Sequence, residues 1–88
     1  MKQMSDLSKL FNIGTTVEKQ LNEVGIMTED ELKNVGAKEA WLRIQMIDES
    51  ACIHRLLALE GGIRGIKKTE LPEEVKMDLK QFYNEHKI

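Results

Sequence analysis

The chain has 88 residues, a length that fits one folded domain and is too short for two independent hydrophobic cores. Its formal net charge of −2 and pI of about 5.7 argue against the strongly basic surface typical of nucleic-acid-binding domains. Aromatic residues make up only 5% of the chain, so aliphatic side chains must build the core, as in packed helices.

Membrane, secreted and disulfide-rich proteins are disfavoured by the same sequence. No apolar run approaches the roughly 18 residues that span a bilayer, and the N-terminus lacks the apolar stretch of a secretory signal. Cys52 is the only cysteine and cannot form an internal disulfide, which suits a reducing compartment. We therefore expect a single cytoplasmic domain over residues 1–88 that makes no membrane contact.

The first predicted helix is short and precedes a tight turn. Ser5 can cap this helix, and Leu7 and Leu10 have the spacing of one buried helical face. The turn that follows ends in a glycine, Gly14. Together with the next helix, this segment predicts an N-terminal unit that resembles a helix-hairpin-helix.

Two capping boxes predict the starts of the next two helices. The Thr15 hydroxyl can accept a hydrogen bond from the Glu18 amide while the Glu18 carboxylate reaches back to the helix start. Thr28 and Glu31 repeat this spacing. The glycines that end these two helices are Gly25 and Gly36. The side chains predicted to face the core are Val17, Leu21, Val24, Leu32 and Val35.

Two longer helices follow. One is predicted over about residues 37–47, and the next begins at Asp48 or Ser50. Gly61 and Gly62 could interrupt this second helix, because each glycine costs roughly 1 kcal/mol in a helix interior. An apolar stripe nevertheless crosses the pair, so we predict one continuous helix to about residue 65. The two glycines would then allow a neighbouring segment to pack closely.

The last helix begins near Leu71-Pro72-Glu73-Glu74, because proline suits the first helical position and glutamates complement the helix dipole. Its buried face is predicted to contain Val75, Leu79, Phe82 and Tyr83. The sequence as a whole therefore predicts an all-α fold, a compact bundle of five to six short helices.

Three stretches of the chain carry a family resemblance. They are residues 7–14 with 21–26, residues 36–43, and residues 50–52, 56–61 and 71–76. In this order they resemble the C-terminal domain of the TfoX (Sxy) family, over about residues 7–86. The resemblance implies a link to the regulation of bacterial DNA transformation and competence, and a fold similar to helix-hairpin-helix and SAM-like bundles. With no reactive constellation in view, it favours a non-catalytic regulatory module that binds a protein partner.

Three features depart from the pattern of the family or of its DNA-binding fold relatives. Larger members of the family carry a separate N-terminal domain, for which 88 residues leave no room. Phe11 stands where the family often has proline, which should loosen the turn. Asn12 stands where DNA-binding relatives of the fold carry the first glycine of a Gly-hydrophobic-Gly turn.

Weak, sequence-independent DNA binding at this turn is the alternative function, since exposed amides at a helix start can hold a phosphate. The residues of this candidate nucleic-acid or partner contact are Asn12, Ile13, Gly14, Thr15, Thr16, Lys9 and Lys19. Two lysines neutralise few phosphates, and Asp6, Glu18 and Glu23 oppose them. Gly14 and Thr15 are equally explained by the turn and the helix cap.

A second candidate is a basic patch formed by Arg64, Lys67 and Lys68. These side chains would share one helix face if the helix persisted that far, and Arg55 lies two to three turns earlier. Such a patch could bind an acidic partner. It could equally complement the negative C-terminal end of a helix without binding anything.

Metal sites and catalytic sites are not predicted. Cys52 and His54 are too close together to ligate from one helix face, and His86 is the only other histidine. The paired acids lie at helix starts, where capping explains them, and no nucleophile with a spaced base is evident. We expect no enzyme, no cofactor and no metal. The single tryptophan, Trp41, is predicted to lie in the core.

Overall fold

The computed structural model describes residues 7–87, which form five α-helices and two 3-10 turns and contain no strand. The helices are α1 (Thr15–Glu23), α2 (Glu29–Val35), α3 (Ala37–Ile47), α4 (Ile53–Arg64) and α5 (Glu73–His86). The first 3-10 turn is Leu7–Lys9 and the second is Lys68–Glu70. The predicted all-α bundle is confirmed.

The N-terminal segment is only partly covered. The first predicted helix is represented among the described residues by the first 3-10 turn, and its proposed cap, Ser5, lies outside them. Within residues 7–87, every helix is too short or too polar to traverse a lipid bilayer.

Trp41 occupies the centre of the core, as predicted, and none of its surface is exposed. Its indole Nε1 donates a hydrogen bond to the Cys52 carbonyl oxygen at 3.2 Å, and its ring meets Phe82 and Tyr83 of α5 edge-on. The other large side chains that are fully buried among the described residues are Leu7, Leu21, Ile26, Leu32, Ile44, Leu56, Leu59 and Leu79. An aliphatic core around one indole therefore joins α3 and α4 to their neighbours.

The start of α1 differs from the prediction. Gly14 is the N-cap, Thr15 is the first helical residue, and no side chain caps this end. Glu18 is only 6% exposed, and its Oε2 accepts a hydrogen bond from the Ser8 amide at 3.3 Å. The predicted Thr15–Glu18 capping box is therefore wrong, because the glutamate binds the first 3-10 turn instead.

The second capping box is confirmed at the start of α2. The Thr28 hydroxyl accepts from the Glu31 amide at 3.1 Å, and Glu31 Oε1 accepts from the Thr28 amide at 3.2 Å. Gly25 follows α1 with a φ of +89°, and the Ile26 amide donates to the Leu21 carbonyl oxygen at 2.8 Å. This hydrogen-bond pattern ends α1, which confirms the helix end that was predicted from Gly25.

Helix α4 runs unbroken through the Gly61–Gly62 pair and is closed by Gly65, which confirms the predicted continuity. It begins at Ile53 and not near Asp48 or Ser50. The Asp48 carboxylate accepts hydrogen bonds from the Ser50 amide and hydroxyl at 3.0 and 2.5 Å. These two bonds stabilise a turn and so delay the helix start.

Helix α5 begins at Glu73, so Pro72 is its N-cap and not its first helical residue. Leu79 is buried on its inner face. Val75, Phe82 and Tyr83 are half-buried and pack against the core. The predicted buried face of this helix is confirmed, and it lies on α3 and α4.

Candidate functional site

Asn12 fixes the turn before α1 against the far end of α4. Its Nδ2 donates to the Ile66 carbonyl oxygen at 3.0 Å, and its Oδ1 accepts from the Lys68 amide at 3.0 Å. Its φ is +68°, in the left-handed region that asparagine tolerates better than most residues. The residue that departs from the glycine pattern therefore clamps two distant parts of the chain together.

Gly61 and Gly62 make room for this turn. A Cβ at Gly61 would overlap the side-chain amide of Asn12. A Cβ at Gly62 would lie 3.1 Å from both Ile13 Cγ1 and the Phe11 carbonyl oxygen, closer than ordinary van der Waals contact. The segment predicted to pack closely against the glycine pair is thus the turn of residues 11–13.

The N-terminal end of α1 faces solvent. Gly14, Thr15 and Thr16 are exposed, and their amides have no acceptor within residues 7–87. Lys9 and Lys19 are exposed as well, and neither forms an ion pair with another described residue.

The other residues predicted around this turn divide between core and surface. Ile13 is buried, and Asn12 is occupied by its clamp. Glu18, which was predicted to oppose the lysines, is buried against the first 3-10 turn. Glu23 is exposed at the opposite end of α1, and Asp6 lies outside the described residues.

The predicted basic patch does not form one helix face. Helix α4 ends at Arg64, so Lys67 and Lys68 follow it in a link and in the second 3-10 turn. Arg64 Nε pairs with Glu60 Oε2 at 2.6 Å. The Lys68 amide is held by Asn12 instead. The condition for a shared helix face is therefore not met, because α4 ends before the two lysines, and binding of an acidic partner by these residues stays a prediction.

Arg55 belongs to a polar cluster around Asp48. Asp48 Oδ2 accepts from Gln20 Nε2 at 2.8 Å and from Arg55 Nη1 at 2.9 Å. The Ser50 hydroxyl, followed by Gln20 and Arg55, holds the pKa of the Asp48 carboxyl well below its usual range. The cluster ties α1 to α4 through the loop after α3, so Arg55 has a structural use. The cluster could not be predicted from local sequence because Gln20 and Arg55 lie 28 and 7 residues from Asp48.

A groove of about 810 Å³ lies where the junction of α2 and α3, the C-terminal half of α4, and α5 meet. Its apolar lining consists of Val35, Ala37, Leu42, Val75, Leu79 and Phe82. Four of these side chains are only half-buried and keep apolar surface accessible, whereas Ala37 and Leu79 are buried.

The charged lining of the groove is net acidic. It consists of Glu39, Glu60, Glu74 and Asp78 with Lys38 and Arg64. Lys38 Nζ pairs with Asp78 Oδ2 at 2.8 Å, so both of the cations are engaged by groove carboxylates. Glu74 forms no ion pair or hydrogen bond with another described side chain and is exposed. The groove could not be predicted from the sequence because its lining comes from three separate segments, residues 35–42, 60–64 and 74–82.

The histidines and the cysteine are not arranged as a metal site. Cys52 is half-buried at the N-cap of α4, and His54 is exposed. His86 stacks on the ring of Phe82, with 4.1 Å between ring centroids. Across residues 7–87, no group of three or more histidine, cysteine or acidic side chains could hold a metal ion.

Known proteins are similar to this chain in sequence and in fold. The family model described as the TfoX C-terminal domain matches residues 3–83. Protein Sxy from Escherichia coli (strain K12) is 34% identical over 76 residues, which are 86% of this chain and 36% of Sxy. The chain thus spans about a third of the length of that relative.

Two crystal structures of proteins from Listeria monocytogenes have the same architecture. An uncharacterized protein in a triclinic form is 48% identical with a TM-score of 0.89, and the match covers 90% of each chain. A protein of unknown function in a tetragonal form is also 48% identical with a TM-score of 0.89. That match covers 91% of this chain and 98% of the other.

Proposed function

Because this chain belongs to the family of TfoX C-terminal domains, we propose that it is a non-catalytic module of competence-related regulation that acts by binding another protein. The observation that carries the proposal is the groove between α3, α4 and α5. Its four half-buried apolar side chains lie beside charged groups. An apolar centre with a polar surround is typical of protein–protein contacts.

The acidic residues near helix starts have structural roles. Glu31 completes the cap of α2 with Thr28. Glu29 pairs with Lys33 at 2.9 Å within the same helix. Such groups complement the helix dipole and the exposed amides of the first turn. Their placement supports a module that acts by binding and not by acid–base chemistry.

Site-specific crosslinking in the source cell tests the protein-binding function. A photoreactive phenylalanine analogue replaces Glu39, which lines the groove, and in a control chain it replaces Met46, which is 86% exposed and lies outside it. We expect a discrete protein adduct from position 39 and none from position 46. An adduct only from position 46 would keep the protein-binding function but reject the groove. No adduct from either position would reject the function.

Sequence-independent DNA binding is the second candidate function. The exposed amides of Gly14, Thr15 and Thr16 favour it, because a helix N-terminus attracts phosphate. Burial of Glu18 removes one carboxylate from this surface, and the hydrogen bond from the Lys68 backbone amide to Asn12 places the Lys68 backbone next to the turn. The small number of cations still limits the affinity for phosphates.

A charge-matched comparison tests DNA binding. Duplex and single-stranded DNA are titrated at low and at physiological ionic strength with the wild type and with Lys9→Glu/Lys19→Glu. The control, Lys80→Glu/Lys87→Glu, makes the same change in net charge at exposed positions on or next to α5. The hypothesis expects binding that weakens with salt and is lost only in the first variant. Equal losses in both variants, or no binding by the wild type, would contradict it.

A further inference from the structure

We propose that the groove binds a helical segment of a partner protein that carries apolar side chains on one face, flanked by lysine or arginine. This inference deepens the protein-binding function proposed above and rests on it. The chemistry of this occupant follows from the shape of the groove, its apolar stripe and its charge.

The apolar stripe suits a helix. Val75, Leu79 and Phe82 follow one another at intervals of four and three residues along α5, so they lie on one face. Val35 and Leu42 line the groove from the side of α2 and α3. An amphipathic helix that lies in such a groove contacts it through side chains one turn apart. The volume of about 810 Å³ is large enough to take several side chains of that kind.

The charge of the groove favours a basic occupant. Four carboxylates and two cations line it. Lys38 and Arg64 are already paired with Asp78 and Glu60. Glu74 has no such partner within residues 7–87, and it lies in the first turn of α5. A lysine or arginine of the occupant would meet this carboxylate, whereas an acidic segment would meet like charge.

The walls of the groove are held in place without an occupant. The Lys38–Asp78 ion pair joins α3 to α5. Gln45 Nε2 of α3 donates to the His86 carbonyl oxygen at the end of α5 at 2.9 Å. Trp41 packs against Phe82 and Tyr83 of α5 from the core side. Because the groove is formed in advance, little ordering of the chain opposes binding.

Three synthetic peptides about four helical turns long, about 14 residues, provide the test. The first places leucines on one face and lysines beside them, the second replaces the lysines with glutamates, and the third has the first composition in an order that scatters the leucines. Binding to the ¹⁵N-labelled chain is followed by amide chemical shifts. We expect the first peptide to bind at least about tenfold more tightly than either other peptide. The shifted amides should surround Leu42, Val75 and Phe82.

Glu74→Lys and Glu73→Lys form a matched pair for the same titration. Both residues are exposed in the first turn of α5, but only Glu74 lines the groove. Glu74→Lys should weaken binding of the first peptide about fivefold or more, whereas Glu73→Lys should change it less than about twofold. Circular dichroism and urea unfolding of both variants verify that the fold is retained.

Several outcomes would overturn the inference. They are equal affinities for the basic and acidic peptides, equal effects of the two variants, a shift map away from the groove, and no binding. Sedimentation that reveals self-association abolished by Glu74→Lys would assign the groove to a second copy of the chain instead. If position 39 crosslinks a protein but no peptide binds, the protein-binding function stands and the basic helix is rejected.

Discussion

The side-chain amide of Asn12 occupies the space that a Cβ at Gly61 would fill, although α1, α2 and α3 separate the two residues in the sequence. The turn of residues 11–13 therefore lies directly on the backbone of α4. Asn12 holds it there by donating a hydrogen bond to the Ile66 carbonyl oxygen and accepting one from the Lys68 amide. The Asn12 side chain thus makes both the close contact with Gly61 and the two hydrogen bonds to the segment after α4.

Gly61→Ala should destabilise the protein. Alanine improves helix propensity by about 1 kcal/mol, but the new methyl would overlap Asn12 and lie 2.8 Å from the Ile66 carbonyl oxygen. Overpacking of this kind costs about 1–3 kcal/mol, so we expect a net loss in the free energy of unfolding, measured with urea. Gly62→Ala is the control and should lose less, because its nearest contacts start at 3.1 Å. A Gly61→Ala chain as stable as the wild type would contradict the close approach.

Asn12→Ala should be more harmful than Asn12→Gly. Both changes remove the two side-chain hydrogen bonds, which contribute about 1 kcal/mol each. Alanine in addition pays about 1 kcal/mol for the φ of +68°, which glycine adopts freely. Thermal unfolding of the three chains under one set of conditions measures the order. Equal stability of the two variants would show that the backbone relaxes out of the left-handed region.

Thr28→Ala should lower the free energy of unfolding by about 1 kcal/mol, because the Thr28 hydroxyl caps the Glu31 amide. Thr15→Ala should change it by less than about 0.5 kcal/mol, because Thr15 is exposed and makes no cap. The two substitutions are chemically identical and can be compared by urea unfolding in one buffer. A similar loss in both variants would be at odds with the N-cap at Gly14.

The stabilising effect of Asp48 should depend on pH in one direction. Hydrogen bonds from Ser50, Gln20 and Arg55 lower the pKa of this carboxyl in the folded protein. The folded state therefore gains stability above the unfolded pKa of about 3.9 and loses it as the pH falls through the folded value. The advantage of the wild type over Asp48→Asn should be constant near neutral pH and should shrink below about pH 4. Urea unfolding from neutral to acid pH measures it, and an advantage that grows on acidification would contradict the cluster.

The helices of this chain could be predicted where the signal was local. The apolar stripe across Gly61 and Gly62 predicted an unbroken α4, and glycine spacing predicted the end of α1. The same threonine–glutamate spacing predicted a capping box wrongly at Thr15 and Glu18 and correctly at Thr28 and Glu31. The two sites differ because Glu18 makes a tertiary contact. Its carboxylate binds the first 3-10 turn, and a local sequence pattern does not reveal such a contact.

The candidate surfaces could be predicted only in part. The turn around Gly14 was found from its glycine and its capping pattern, yet the role of Asn12 was not, because its partners lie in the segment after α4. The groove had no signal in the sequence. Two of its half-buried side chains, Val75 and Phe82, were predicted only as part of the buried face of the last helix, and the groove becomes visible when α5 is placed on α3 and α4.

The single tryptophan gives this protein a built-in optical reporter. Trp41 touches Phe82 edge-on with 6.2 Å between ring centroids, and Phe82 is part of the groove lining. An occupant that shifts Phe82, or a detachment of α5, would change the surroundings of the indole and so its emission. Ligand screening against the groove can therefore use the fluorescence of the unlabelled wild-type chain.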